Sequence, residues 1–208
     1  MALPATDNFA GPNNTPLPTY NPNWTELEGS FEVYLSAVRC DGFAMGSFAA
    51  GAAWNADEFD DDQYAEATVA SLAGGGVSMG LVVRGDADGP SATYYVWYSH
   101  PTAGFVDKVV AGSRTTLNPG DATTAWQVDD RVRFTAEGTT LTCYINDVEV
   151  KQIVDAAISS GAPGVGCLLS GTPSLDDWEG GNLAGGGGVK TITVTSTVTV
   201  TVVDMECE

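Results

Sequence analysis

The chain has 208 residues, with 27 Asp and Glu against 8 Lys and Arg, a single histidine and a formal charge of −19. Neutralising phosphates needs a basic stripe, and the cations here (Arg39, Arg84, Lys108, Arg114, Arg131, Arg133, Lys151, Lys190) are spread along the chain, so nucleic acid is excluded as a partner. Anionic membrane surfaces are disfavoured by the same sign, and no apolar run approaches the roughly 18 residues of a membrane span.

In chain order, the first residues, MALPATDNFAGPNN, have neither a basic nor an apolar export region, so a classical signal peptide is not expected. The apolar residues that follow alternate over short runs separated by Gly, Pro, Asn and Asp, the pattern of an all-β sandwich or barrel. Strands are predicted over 31–38, 64–72, 78–83, 93–98, 106–110, 131–136, 139–145, 148–153 and 165–169. The acidic run from Asp57 to Glu66 has helix-like character. Its Ala65, Ala67 and Val69 nevertheless alternate with Tyr64, Glu66 and Thr68, so it reads as an acidic turn entering a strand. A short helical pattern covers Asp155 to Ser159. Asn146-Asp147 closes a hairpin.

Composition changes after Trp178. Residues 180–188 read as a Gly-rich linker, and residues 189–208 as a C-terminal β-strand extension. In that extension Ile192, Val194, Val198, Val200 and Val202 share one face and threonines the other, over about 45–50 Å if fully extended at about 3.3 Å per residue. An unpaired strand of this kind is an aggregation hazard, so it either folds back on its own sandwich or pairs with another subunit. The four cysteines, Cys40, Cys143, Cys167 and Cys207, show no C-x-x-C spacing; they read as buried free thiols, and sequence alone does not decide whether any of them pair.

Asp7-Asn8-Phe9, Trp24 with Gly29, Gly80-Leu81-Val82-Val83-Arg84, and Tyr94-Tyr95-Val96-Trp97-Tyr98 form an ordered series. It continues through Trp126, Asp130-Arg131-Val132-Arg133-Phe134, Gly138 to Asn146, Gly161 to Gly166, and Leu175-Asp176-Asp177-Trp178. In that order and spacing the chain resembles the concanavalin A-like lectin/glucanase superfamily, most closely its laminin-G-like jelly rolls of phage and bacterial surface proteins. The resemblance implies a two-sheet antiparallel jelly-roll sandwich over residues 1–179, closed by bringing the N-terminal strand beside the last one. It also implies a calcium ion near the chain ends, assigned to Asp7 and Asp177 with a carbonyl near Gly29. Asp60-Asp61-Asp62 and Asp86-Ala87-Asp88-Gly89 are weaker acidic candidates that complete no EF-hand.

For a sugar, an aromatic face and planar hydrogen-bonding groups are needed, and Arg84, Tyr95, Trp97, Trp126 and Tyr144 are the residues assigned to it. Strand parity leaves open whether Tyr95 and Trp97 or Tyr94, Val96 and Tyr98 point inward. Catalysis is not expected: no Glu-x-Asp-x-x-Glu strand of the glucanase kind occurs, His100 precedes a proline in a loop, and no Gly-x-Ser-x-Gly is present. The expectation is a non-enzymatic virion-associated protein, such as a capsid decoration, head fibre or tail jelly roll. Its C-terminal strand would attach to other virion subunits or to a homo-oligomer, and it would bind surface glycans. The alternative is a stand-alone carbohydrate-binding module, with a glycoside hydrolase behind both.

Overall fold

The computed structural model describes residues 3–43, 49–72, 78–86, 92–100, 102–169 and 171–183. Its first strands are β1 (Ala5–Asp7), β2 (Thr15–Pro16), β3 (Trp24–Glu28), β4 (Ser30–Val33), β5 (Val38–Gly42) and β6 (Ala49–Trp54). A four-residue helix, α1 (Leu17–Tyr20), separates β2 from β3. The central strands are β7 (Gln63–Ser71), β8 (Ser78–Gly85), β9 (Tyr94–His100), β10 (Ala103–Val110) and β11 (Ser113–Thr116). The last are β12 (Arg131–Glu137), β13 (Thr140–Ile145), β14 (Val148–Val154), β15 (Ala162–Leu168) and β16 (Ser174–Asn182).

These strands make two antiparallel sheets. One runs β14-β13-β12-β7-β16-β5-β4-β2, with β1 also against β16; the other runs β11-β10-β9-β8-β15-β6-β3. The implied closure is present: β1 lies along the second half of β16, with Asp7 opposite Trp178. The all-β sandwich is therefore as expected, with the inter-sheet core built from one face of each strand. Ala65, Ala67 and Val69 meet Val132, Phe134, Leu141 and Cys143 from the nine-stranded sheet, and Leu81, Val83, Tyr95 and Trp97 from the other.

The open question of parity is resolved here. Tyr95 and Trp97 point into the inter-sheet core, while Tyr94, Val96 and Tyr98 form a second buried cluster on the opposite face of β9. That second face is strongly curled. Gly51, Gly166 and Gly80 stand opposite one another across β6, β15 and β8, and a Cβ on Gly51 would lie 3.0 Å from the ring of Tyr94. Three strand spacings of about 4.8 Å separate β9 from β6, more than a tyrosine can reach along a flat sheet. The Tyr94 hydroxyl even reaches Glu28 on β3, at 2.6 Å. The glycine row thus forms a trough, and Tyr94 and Val96 lean across and fill it.

Several local predictions are corrected. The single strand 31–38 is a hairpin, because Leu35 and Ser36 turn the chain at φ 53° and 57°. The helical reading of Asp155 to Ser159 fails; the segment is irregular and supplies Asp155 and the Ile158 carbonyl as hydrogen-bond acceptors. Gly180 and Gly181, read as the start of a linker, are strand residues paired with Ala65 and Tyr64. Cys40 on β5 and Cys167 on β15 are not free thiols but a disulfide joining the two sheets, with Cα atoms 6.3 Å apart. Cys143 is a buried free thiol. The C-terminal extension, with Ile192, Val194, Val198, Val200 and Val202, lies outside the described residues, as does Cys207.

Candidate functional site

Of the five residues assigned to a sugar from sequence, four are inside the protein. Trp97 and Trp126 pack edge to face, 4.8 Å between centroids, and Trp97 Nε1 donates to Thr123 Oγ1 at 3.2 Å. The Tyr95 hydroxyl donates to Asp155 Oδ1 at 2.6 Å and accepts from the Ile158 amide at 2.9 Å. Burial, and then the hydrogen bond to Asp155, push that hydroxyl up to about 12. Arg84 is 2% exposed and is a structural clamp. Its Nε, Nη1 and Nη2 donate to the carbonyls of Asp61, Ile158 and Gly138 at 3.0, 2.9 and 2.7 Å, tying three loops to β8. None of the four offers a surface on which a sugar could stack. Alternation hides this, since inward and outward aromatics have the same spacing.

Tyr144 is the exception. It stands on the outer face of the nine-stranded sheet, in a groove of about 640 Å³ that also contains Tyr64, Glu66, Arg131, Arg133, Thr135, Thr142, Gln152 and Glu179. A second depression of about 650 Å³ adjoins it through Glu66, Arg131 and Glu179, and extends to Thr6, Asn8, Tyr20 and Asp177. The register explains why these residues converge. Thr6 lies opposite Glu179, Glu179 opposite Glu66, Glu66 opposite Arg133, Arg133 opposite Tyr144, and Tyr144 opposite Glu149. A neighbouring row runs Gly181, Tyr64, Thr135, Thr142, Gln152. Side chains directly opposite across strands project on the same face, so the rows make a continuous polar floor with two aromatic rings.

Within that floor, Arg131 Nε donates to Glu66 Oε1 at 2.5 Å, and Arg133 Nη1 lies 3.8 Å from Glu66 Oε2 and 3.4 Å from Asp147 Oδ1. The Arg133 guanidinium sits 4.7 Å from the centroid of the Tyr144 ring, which holds the ring in place. The Tyr64 hydroxyl donates to Glu179 Oε1 at 2.5 Å; burial and this carboxylate raise its pKa. Glu66 is buried and Glu179 half-buried, whereas Arg131 keeps 60% of its side chain in solvent. Alternation sets Tyr64 and Glu66 on the face opposite Ala65 and Ala67, and Arg131 and Arg133 on the face opposite Val132 and Phe134, but only the cross-strand register puts the four side by side.

The proposed calcium ligands do not fit the ion. Both oxygens of Asp7 are occupied by protein donors: Oδ1 by the Phe9 amide and the Tyr20 hydroxyl at 2.8 and 2.9 Å, Oδ2 by Asn21 Nδ2 and Trp24 Nε1 at 2.8 and 2.9 Å. Calcium needs oxygen lone pairs turned toward it, and these are turned toward N–H and O–H groups. Gly29 follows the far end of β3 from Trp24, about 16 Å away along an extended strand. Asp177 is exposed, on a bulge with φ 47°. Among the other acidic candidates, Asp62 Oδ1 accepts from the Gly138 amide and Asp60 Oδ2 from Asn182. Among the described residues no cluster of three metal-ligating side chains occurs.

No protein-family model matches the chain, and no curated protein matches it. Solved structures do. The carbohydrate-binding module CBM66 from Bacillus subtilis aligns with a TM-score of 0.53 and 18% identity, over 77% of this chain and 92% of its own. The Crh5 transglycosylase in complex with NAG gives 0.53 and 13%, over 88% and 85%. The Bacillus licheniformis β-glucanase gives 0.51 and 8%, over 88% and 100%. The fold shared with these structures is therefore the two-sheet antiparallel jelly roll.

Proposed function

We propose that the protein is a non-catalytic carbohydrate-binding jelly roll that holds its glycan on the outer face of the nine-stranded sheet. The observation that carries this is the row Glu179, Glu66, Arg133, Tyr144, set in an open groove beside Tyr64. A pyranose presents an apolar C–H face and a rim of hydroxyls. Tyr144 supplies the stacking surface, and carboxylates, guanidiniums and the Thr and Gln side chains supply acceptors and donors around it. The curled opposite face is filled by Tyr94, Val96 and Tyr98 and offers no such floor.

A binding role is favoured over hydrolysis because Glu66 and Glu179, the two of the three groove carboxylates that stand in the row with Arg133 and Tyr144, are already engaged. Glu66 is held by Arg131 and Arg133, and Glu179 by the Tyr64 hydroxyl. An exterior setting, on a virion or another extracellular surface, is part of the proposal, since a disulfide between the sheets belongs to oxidising surroundings.

A glycan array followed by calorimetry tests this. Tyr144→Ala should lower affinity about five- to tenfold, or roughly 1–1.4 kcal/mol, with an unchanged melting temperature. Tyr94→Phe, on the opposite face, should leave affinity unaltered. Affinity indifferent to Tyr144, or no glycan retained at all, removes the proposal.

A further inference from the structure

We propose that the free edge of β14 is a docking strand for residues 189–203 of a second copy of this chain. This goes beyond the glycan reading and does not depend on it. Among the described residues β14 ends the nine-stranded sheet with β13 as its sole neighbour. It has seven residues, whereas the other sheet-end strands, β2, β11 and β3, have two, four and five. Val148 and Val154 are 65% and 73% exposed. Ile145, Val150 and Ile153 pack against the core but are only partly buried, so the rim of the core is open along this edge.

Extended as a strand, the segment 189–203 would present matching faces. Its Ile and Val positions would continue the rim beside Ile153 and Val150, and its threonines would continue the outer face beside Thr142 and Gln152. Its single charge is Lys190. An edge strand of this length, with exposed valines, is a template for an added strand.

Reach argues for a second copy. β16 ends at Asn182, and a strand added beyond β14 would lie five spacings away, across β7, β12, β13 and β14, about 24 Å. The chain from Asn182 to Val189 spans about 25 Å only when pulled straight. A Gly-rich coil of that length averages about 15 Å. Pairing with the chain's own edge therefore needs a taut linker, and pairing with a neighbour's edge does not.

The test is light scattering on the full chain over a range of concentration and salt. Copies carrying a net −19 repel, so association should strengthen as salt is added. Two full-length variants, Val148→Lys with Val154→Lys at the edge, and Val198→Pro with Val200→Pro in the segment, should each be monomeric with the native melting temperature. A mixture of Gln152→Cys and Thr197→Cys chains, both in a Cys207→Ser background, should give an oxidised heterodimer. A native chain that stays monomeric throughout, an edge variant that associates like the native chain, or a Gln152→Cys/Thr197→Cys chain that cross-links only to itself would each overturn the proposal.

Discussion

Arg84 illustrates how far a side chain's chemistry depends on where the fold puts it. In a strand beside Tyr and Trp residues it has the composition of a sugar-binding arginine, yet its guanidinium is spent on three backbone carbonyls. Arg84→Leu leaves those carbonyls unpaired in the interior, and we expect a loss of roughly 3–5 kcal/mol, measured by denaturant unfolding. Asp155 is the other residue with a measurable signature. Burial pushes its carboxyl up, but hydrogen bonds from Lys108, Tyr95 and the Ala157 amide outweigh this and hold it below the usual carboxylate range. A depressed folded pKa adds stability above the unfolded value, about 3.9, and that contribution is lost as pH falls through the folded value. Stability should therefore fall in acid below about pH 4 more steeply in the native protein than in Asp155→Asn, followed by melting temperature against pH. Neither role was legible in the sequence, because Asp155, Lys108 and Tyr95 are brought together only by the packing of separate elements.

At the level of elements, the latch between β1 and β16 is the feature that the resemblance anticipated, and protein donors surround the carboxylate for which it implied calcium. Asp7 closes the chain ends, but as an acceptor of four hydrogen bonds. Burial and this carboxylate push the Tyr20 hydroxyl up to about 12, so it stays a donor at any pH of interest. Asp7→Ala should cost roughly 3–4 kcal/mol, since the buried Trp24 Nε1 loses its partner. Chelators should leave the melting temperature of the native protein unchanged; a drop of several degrees would return calcium to the latch. The strands that sequence patterning missed have physical reasons too. β6 is Ala-Ala-Gly-Ala-Ala-Trp, buried on both faces, where small residues are needed and β propensity is weak. β16 carries Gly180-Gly181, which read as linker, and the acidic pair Asp176-Asp177, which has low β propensity. Asp177 sits at a bulge, and a Cβ on Gly181 would lie 2.9 Å from the Tyr64 ring.

Across the whole molecule, the two sheets use their outer faces in opposite ways, one curled around its own aromatics and one open as a polar floor. The Cys40–Cys167 disulfide ties them together across a sequence separation of 127 residues. Closing so long a loop in the unfolded chain is worth on the order of 4–5 kcal/mol in the chain-entropy account. Reduction should lower the unfolding free energy by an amount of that order, and Cys40→Ala should do the same without reductant. Alternation of apolar and polar residues, turn chemistry and charge determined from sequence alone that this is an acidic all-β chain without a basic cluster, because period-two patterning and charge are local properties; the choice of a sandwich came from the resemblance. Tertiary structure decided which aromatics are core and which are surface, that two distant cysteines meet, and that Glu179, Glu66, Arg133 and Tyr144 stand in one row. Those facts depend on cross-strand register and sheet curl, which pair residues far apart in the chain and leave no local periodicity.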